Sequence, residues 1–207
     1  MAIKSPFLIK QEFISPLHCE DLVDMLGLTV PDEDTEGHPV KTIRMHDRAE
    51  EIIFNRIEQL IPEFEEYYRV DYRGTEPMVF EWYTDECKGY PPHCENSNYI
   101  GKKWLKTKDR DFTGVLFLSD YQERIPFDSD FEVYGGKLEF AQHQFGFNPQ
   151  RGTLILFPSE PHFINNTTEI LVGDLYQVRF HIATEKQFLY DPKCFPGDYT
   201  SWLREFA

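Results

Sequence analysis

Two hydrophobic periods divide the chain. Between residues 47 and 68, Ile52, Ile53, Ile57, Leu60, Ile61 and Phe64 recur at helical spacing with Glu and Arg on the other face, which predicts a long amphipathic helix that supports a sheet. Pro62 falls inside that pattern and predicts a kink or a fresh start there. Ahead of it, Phe7 to Ile14 reads as a short strand. Ser15 and Pro16 then supply a cap and a first-turn proline for a helix that ends near Gly27. The acidic, breaker-rich run from Val30 to His38 reads as a mobile loop.

From Met78 onward the period shortens to two. Strands are predicted at Met78 to Tyr83, Tyr90 to Glu95, Thr113 to Leu118, Lys137 to Phe140, Gly152 to Phe157 and Leu175 to Ile182, separated by Gly, Pro, Asp and Ser clusters. The expected fold is mainly β with packed α-helices, a sandwich or jelly roll whose N-terminal helices support one sheet. One domain is expected over residues 1–207, with helical support at about 15–70, a β core at about 78–183 and a tail at 184–207 wrapped around the outside.

Composition narrows the function. A formal charge of -15 argues against a nucleic-acid binder or an anionic-membrane binder, because both rely on Lys and Arg. No stretch approaches the ~20 apolar residues of a membrane span, and the start of the chain has no secretory pattern. Cys19, Cys87, Cys94 and Cys194 are scattered without metal-ligand spacing, so free thiols in the cytoplasm are expected. Asn165-Asn166-Thr167-Thr168 reads as a turn.

Chemistry concentrates at Tyr90-Pro91-Pro92-His93-Cys94-Glu95. Two residues apart on a strand, His93 and Glu95 point to one side, and a second His from a distant strand would complete a facial triad of the non-haem iron type. The candidate is His162. The competing reading makes His93 a hydrogen-bonded core histidine and Glu95 a surface carboxylate.

Four stretches, in order, carry a family resemblance. Tyr90 to Glu95, Thr113-Gly114-Val115-Leu116-Phe117-Leu118-Ser119-Asp120, Tyr134-Gly135-Gly136-Lys137-Leu138-Glu139-Phe140, and Gly152-Thr153-Leu154-Ile155-Leu156-Phe157-Pro158-Ser159 with His162 resemble the prolyl 4-hydroxylase-like branch of the 2-oxoglutarate and Fe(II)-dependent dioxygenases. The resemblance implies a double-stranded β-helix (a cupin-like barrel) with Fe(II) at one mouth, held by His93, Glu95 and His162. It implies 2-oxoglutarate as co-substrate, ascorbate as a candidate auxiliary reductant, and hydroxylation of a prolyl or other peptide residue or of a small molecule.

Two positions depart from the family pattern. Glu95 stands where the family has Asp, and Leu175 stands where many relatives carry the Arg or Lys that anchors the co-substrate. Arg179, on the same face of that strand, is the expected anchor, with Tyr83 as a hydroxyl donor to the same carboxylate. The basic loop Asn96 to Asp111 and the lid-like Tyr121 to Tyr134 are expected to select the substrate. A non-catalytic cupin-like module that binds metal or ligand is the alternative, and nucleic-acid repair, disfavoured by the acidity, is a third.

Overall fold

A computed structural model describes residues 5–27, 40–45, 47–84 and 87–185. The expected acidic loop and all of the C-terminal tail after residue 185 lie outside the described residues. Helices α1 (Pro16–Gly27) and α2 (Asp47–Tyr68) pack on a seven-stranded sheet. Its strands run in the order β1 (Leu8–Lys10), β13 (Leu154–Pro158), β8 (Phe112–Phe117), β16 (Leu175–Thr184), β4 (Val79–Tyr83) and β2 (Val40–Arg44), with β3 (Tyr72–Thr75) also pairing with β16. Facing it is a four-stranded sheet ordered β12 (Phe145–Phe147), β11 (Leu138–Phe140), β14 (Asn165–Thr167) and β5 (Tyr90–His93). A three-stranded sheet of β15 (Ile170–Gly173), β10 (Glu132–Gly135) and β9 (Asp120–Tyr121) extends the wall. The result is a jelly roll, as the sequence pattern predicts.

Alternation along the central strands creates two cores. Phe80, Leu116, Leu154, Leu156, Val178 and Phe180 face the helices, where Ile53, Ile57, Leu60 and Phe64 of α2 meet them. Their alternates Tyr83, Val115, Phe117, Ile155, Phe157 and Leu175 face inward and pack on Leu138 and Phe140 of the opposite sheet. Pro62 does not divide α2. It is exposed, while Leu60, Phe64 and Tyr68 on the buried face hold both sides of it to the sheet. The Tyr68 hydroxyl adds a clamp, donating to Pro6 O at 2.8 Å or Leu156 O at 2.9 Å and accepting from Leu8 N at 3.2 Å.

Two connections differ from expectation. The basic segment after Glu95 is not a loop throughout: β6 (Ser97–Ile100) and β7 (Lys103–Lys106) form a hairpin around Gly101 and Lys102, both at positive φ. A two-residue turn with both central residues in the left-handed region matches the strand twist and fixes the register. The Gly-Gly pair ends β10 at a register shift, and a side chain on Gly135 (φ +104) would strike Glu169 O. No helix among the described residues is long and apolar enough to cross a membrane.

Candidate functional site

The inward faces of β16 and β4 change character along their length. Leu175 and Tyr83 lie in the apolar interior, but the next inward residues are Gln177, Arg179 and His181 on β16 and Glu81 on β4. Strand β5 closes this end from the other sheet. Its two prolines cannot donate to a ladder on both sides, and β5 is an edge strand. The strand stops at His93, yet Glu95, past its end, returns to the same side. His93 Nε2 lies 3.0 Å from Glu95 Oε1.

Glu95 is the centre of a buried ionic cluster. Its Oε1 accepts from Arg179 Nη1 at 2.6 Å and from Asn165 Nδ2 at 3.3 Å. Arg179 also donates through Nε to Glu81 at 3.1 Å, and Glu81 Oε2 accepts from Gln177 Nε2 at 2.5 Å and from the Tyr83 hydroxyl at 3.2 Å. Burial acts to raise the Glu95 carboxyl, but the charge of Arg179, with His93 and His181, outweighs it and holds the group well below the usual carboxylate range. Arg179 is shifted upward: burial opposes its charge, and Glu81 and Glu95 overcome that opposition. Burial pushes the Tyr83 hydroxyl well up, reinforced by Glu81.

His181 occupies the outer end of this face. Its Nδ1 is 3.1 Å from the Thr113 hydroxyl, which is 2.7 Å from that of Ser159, and its Nε2 is 3.9 Å from Glu95 Oε2. Burial lowers the imidazole to about 4, against the pull of Glu95. A cavity of about 320 Å³ opens here, lined by His93, Glu95, Arg179, His181, Lys108 and Arg110 among others. Such a volume suits a small ligand.

The expected iron ligands are brought together only in part. His93 and Glu95 meet. His162 does not join them: it sits in a 3₁₀ turn (Pro161–Phe163), with Nδ1 3.1 Å from Glu160 Oε1 and its carbonyl accepting from His143 Nε2 at 2.8 Å. It does not line the cavity. The physical reason is where the strand begins. The turn spends three residues before β14 starts at Asn165, and it is Asn165 that lies opposite His93 in the ladder. Tyr83 is likewise turned to Glu81 rather than to the cavity, and Arg179 lines the cavity but is engaged by two carboxylates.

Among the described residues no three His, Cys, Asp or Glu side chains gather as a metal site. A carboxamide is the further partner of Glu95. Asn165 is 1% exposed, and its Nδ2 donates to Glu95 Oε1 and, at 3.4 Å, to Phe163 O. Its Oδ1 is buried without a hydrogen-bond partner, an unusual cost for a native side chain. His93 and Glu95 supply one imidazole and one carboxylate of the kind that suit a divalent ion, while the atom that Asn165 turns to Glu95 is its amide nitrogen. Sequence reading missed Asn165 because an Asn-Asn-Thr-Thr run is turn-like by composition.

No protein-family model matches this sequence, and neither does any curated protein. Solved structures do. A viral collagen prolyl hydroxylase from Paramecium Bursaria Chlorella virus-1, solved as a 2OG complex, is 16% identical with a TM-score of 0.64, and the match covers 88% of this chain and 97% of that one. A Pseudomonas putida prolyl-4-hydroxylase is 15% identical, with a TM-score of 0.61 and coverage of 87% and 94%. A Trichoplax adhaerens prolyl hydroxylase, in complex with a hypoxia-inducible-factor oxygen degradation domain peptide fragment, is 14% identical, with a TM-score of 0.60 and coverage of 88% and 85%. At these identities the likeness is one of fold, and in fold this chain is a prolyl 4-hydroxylase-like jelly roll.

Proposed function

We propose that the chain is a 2-oxoglutarate- and Fe(II)-dependent hydroxylase acting on a C–H bond of a prolyl or other peptide residue. The observation that carries this reading is the placement of His93 Nε2 and Glu95 Oε1, 3.0 Å apart on a cavity of the hydroxylase fold. His93 Nδ1 lies 3.0 Å from the Pro91 carbonyl oxygen, a hydrogen-bond acceptor supplied by its own strand. That bond fixes the ring and turns Nε2 toward Glu95, as a backbone carbonyl does behind a metal-bound imidazole.

When bound, the iron would bring together 2-oxoglutarate and dioxygen, dioxygen being the oxidant: one of its oxygen atoms would enter the substrate as C–OH and the other succinate, as 2-oxoglutarate is oxidised and loses carbon dioxide. The chain's residues hold and orient. Arg179 fixes the Glu95 carboxylate and keeps it ionised, while its guanidinium retains further N–H donors for a ligand carboxylate in the cavity that it lines. Lys108, on the same cavity, adds a cation for an anionic co-substrate.

A second reading is a ligand-binding module without turnover. It is favoured by the engagement of Glu95 with Arg179 and by the position of His162 outside the cavity. Succinate formation from 2-oxoglutarate with iron and ascorbate, in the absence of any primary substrate, separates the two. Turnover is expected in the wild type and absent from His93→Ala and Glu95→Ala. Binding of 2-oxoglutarate with no succinate formed would favour the module.

A further inference from the structure

We propose that the peptide this chain acts on is acidic beside its reacting residue, and that hairpin β6–β7 docks it. The inference rests on the reading of the cavity as the reacting site of a peptide hydroxylase.

Charge is the first observation. The chain carries 36 acidic and 21 basic residues, yet no Asp or Glu falls between Asn96 and Lys108, where Lys102, Lys103, Lys106 and Lys108 stand close together. Lys106 pairs with Asp111 at 2.8 Å, and Arg110, just beyond, with Glu76 at 2.6 Å. Lys102, Lys103 and Lys108 are exposed and form no ion pair among the described residues. Their field is local. It attracts a short anionic segment, whereas the chain's formal charge of -15 repels a long polyanion such as nucleic acid.

Apolar exposure is the second. In the hairpin ladder Asn98 lies opposite Leu105 and Ile100 opposite Lys103, so these side chains share one face, and all four are exposed. Ile100 is 51% and Leu105 45% exposed. Lysines that only kept an edge strand from aggregating would need no such neighbours. On the other face Tyr99 packs edge-on to Trp104, with ring centroids 5.4 Å apart, which stiffens the hairpin. Strands β6 and β7 pair only with each other among the described residues, so each keeps an open edge along which an extended peptide can add main-chain hydrogen bonds.

Position is the third. Asn96 directly follows Glu95 and roots the hairpin there: its carbonyl accepts from Thr107 N at 2.8 Å and Lys108 N at 3.1 Å, and its Nδ2 donates to Arg110 O at 2.8 Å. The segment that leaves β7 is thereby tied to the wall of the cavity. Lys108 lines both that cavity and a neighbouring open groove of about 420 Å³, which Arg73, Lys106 and Thr107 also line. Of the groove's carboxylates, Asp109 and Asp111 already pair with Arg73 and Lys106, and Glu185 is the third. A peptide held on the hairpin has a continuous path to the cavity, with Lys108 at the junction.

The test is direct binding, read by fluorescence anisotropy without iron, of a labelled short peptide with a central Val-Pro flanked by glutamates, against the same peptide with glutamines. The glutamate peptide should bind about tenfold more tightly at low salt, and the gap should close as salt rises. Lys102→Glu combined with Lys103→Glu should abolish that preference, since exposed ion pairs contribute up to about fivefold each. The same variant should leave succinate formation in the absence of peptide unchanged, because neither lysine lines the cavity. Ile100→Ser with Leu105→Ser should weaken both peptides alike. All four side chains are exposed, so the fold should survive, and Lys41→Glu on β2 controls for net charge and should alter neither peptide. Equal binding of the two peptides, or a preference that survives the double lysine reversal, overturns the proposal, and the hydroxylase reading still stands if succinate is formed. A labelled oligonucleotide bound more tightly than the glutamate peptide would make the patch a general polyanion surface and overturn the proposal too. A preference carried by Lys102 and Lys103, with no succinate formed by wild type, would keep the docking surface and overturn the hydroxylase.

Discussion

The two ends of the barrel interior are built from the same strands and obey opposite rules. At one end Tyr83, Val115, Phe117, Leu138, Phe140, Phe157 and Leu175 pack ring against aliphatic chain, with Phe140 and Phe157 edge to face at 4.7 Å. At the other, Glu95, Gln177, Arg179 and His181 are buried and Glu81 is half-buried, and they interact by charge and hydrogen bond. The apolar end draws its stability from area removed from water and tolerates imperfect directionality. The polar end gains little net stability from burial and depends on every partner being present, because buried charges are costly once unpaired. Stability therefore resides at one end and orientation at the other.

Removing one central residue from each end should cost similar amounts for different reasons. Arg179→Ala strands Glu81 and Glu95 and should destabilise by about 3–5 kcal/mol, and Phe117→Ala should do the same by leaving a cavity. Restoration separates the cases: Arg179→Met combined with Glu81→Gln and Glu95→Gln should recover most of the loss in urea unfolding, since no charge is left unpaired. If the triple variant were no more stable than Arg179→Ala, the cost would lie in packing rather than in charge.

The next effect is in pH. His181 titrates near 4 in the folded protein because burial disfavours its charge, against 6.5 ordinarily. Between these values the unfolded chain binds the extra proton, so stability should fall as pH drops from about 6.5 to about 4, by on the order of 3 kcal/mol. Glu95, whose folded value is lowered, acts further down: its contribution is complete above the ordinary carboxylate range and is lost as pH falls below it. His181→Gln should flatten the upper window and leave the lower one. An unchanged slope above pH 4 in that variant would assign the window to other groups, and burial gives His143 a shift in the same direction.

The smallest effect concerns the sheet from which both ends are built. A methyl group on Gly114 would lie 2.3 Å from the Phe180 ring, so Gly114→Ala should cost about 1–3 kcal/mol by overpacking. That ring faces the helices, and the cavity should keep its ligand affinity. A matching loss of 2-oxoglutarate binding would show that the two faces of β16 are coupled.

Much of this was legible before the structure. Period two along Leu175 to Ile182 places Arg179 and His181 inward with Leu175, and the helical stripe from Ile53 to Phe64 is the face that packs on the sheet. The hairpin at Gly101 and Lys102 falls in a segment read as loop, although a two-residue link containing Gly between Tyr99-Ile100 and Lys103-Trp104 is the signal that could have found it. Asn165 was not legible. Its importance comes from a ladder partner and a carboxylate about 70 residues earlier, and local composition is silent about both. Period counting predicted that Glu95 would share a side with His93. It does so although the strand ends between them, and the side chain is held there by Arg179.

Strand β16 pairs with β8 on one side and with β4 and β3 on the other, and it is the last strand among the described residues. As the chain leaves the ribosome, β8 and β4 therefore have nothing to join them until residues 175–184 emerge. The helix-facing sides of both strands, with Phe80, Phe112 and Leu116, stay uncovered on one edge for most of synthesis. The sheet's closure is a late, long-range event of the kind that slows folding and leaves exposed edges open to association. A ribosome-bound nascent chain halted near residue 170 should remain sensitive to protease, whereas one that has released residue 184 should become resistant.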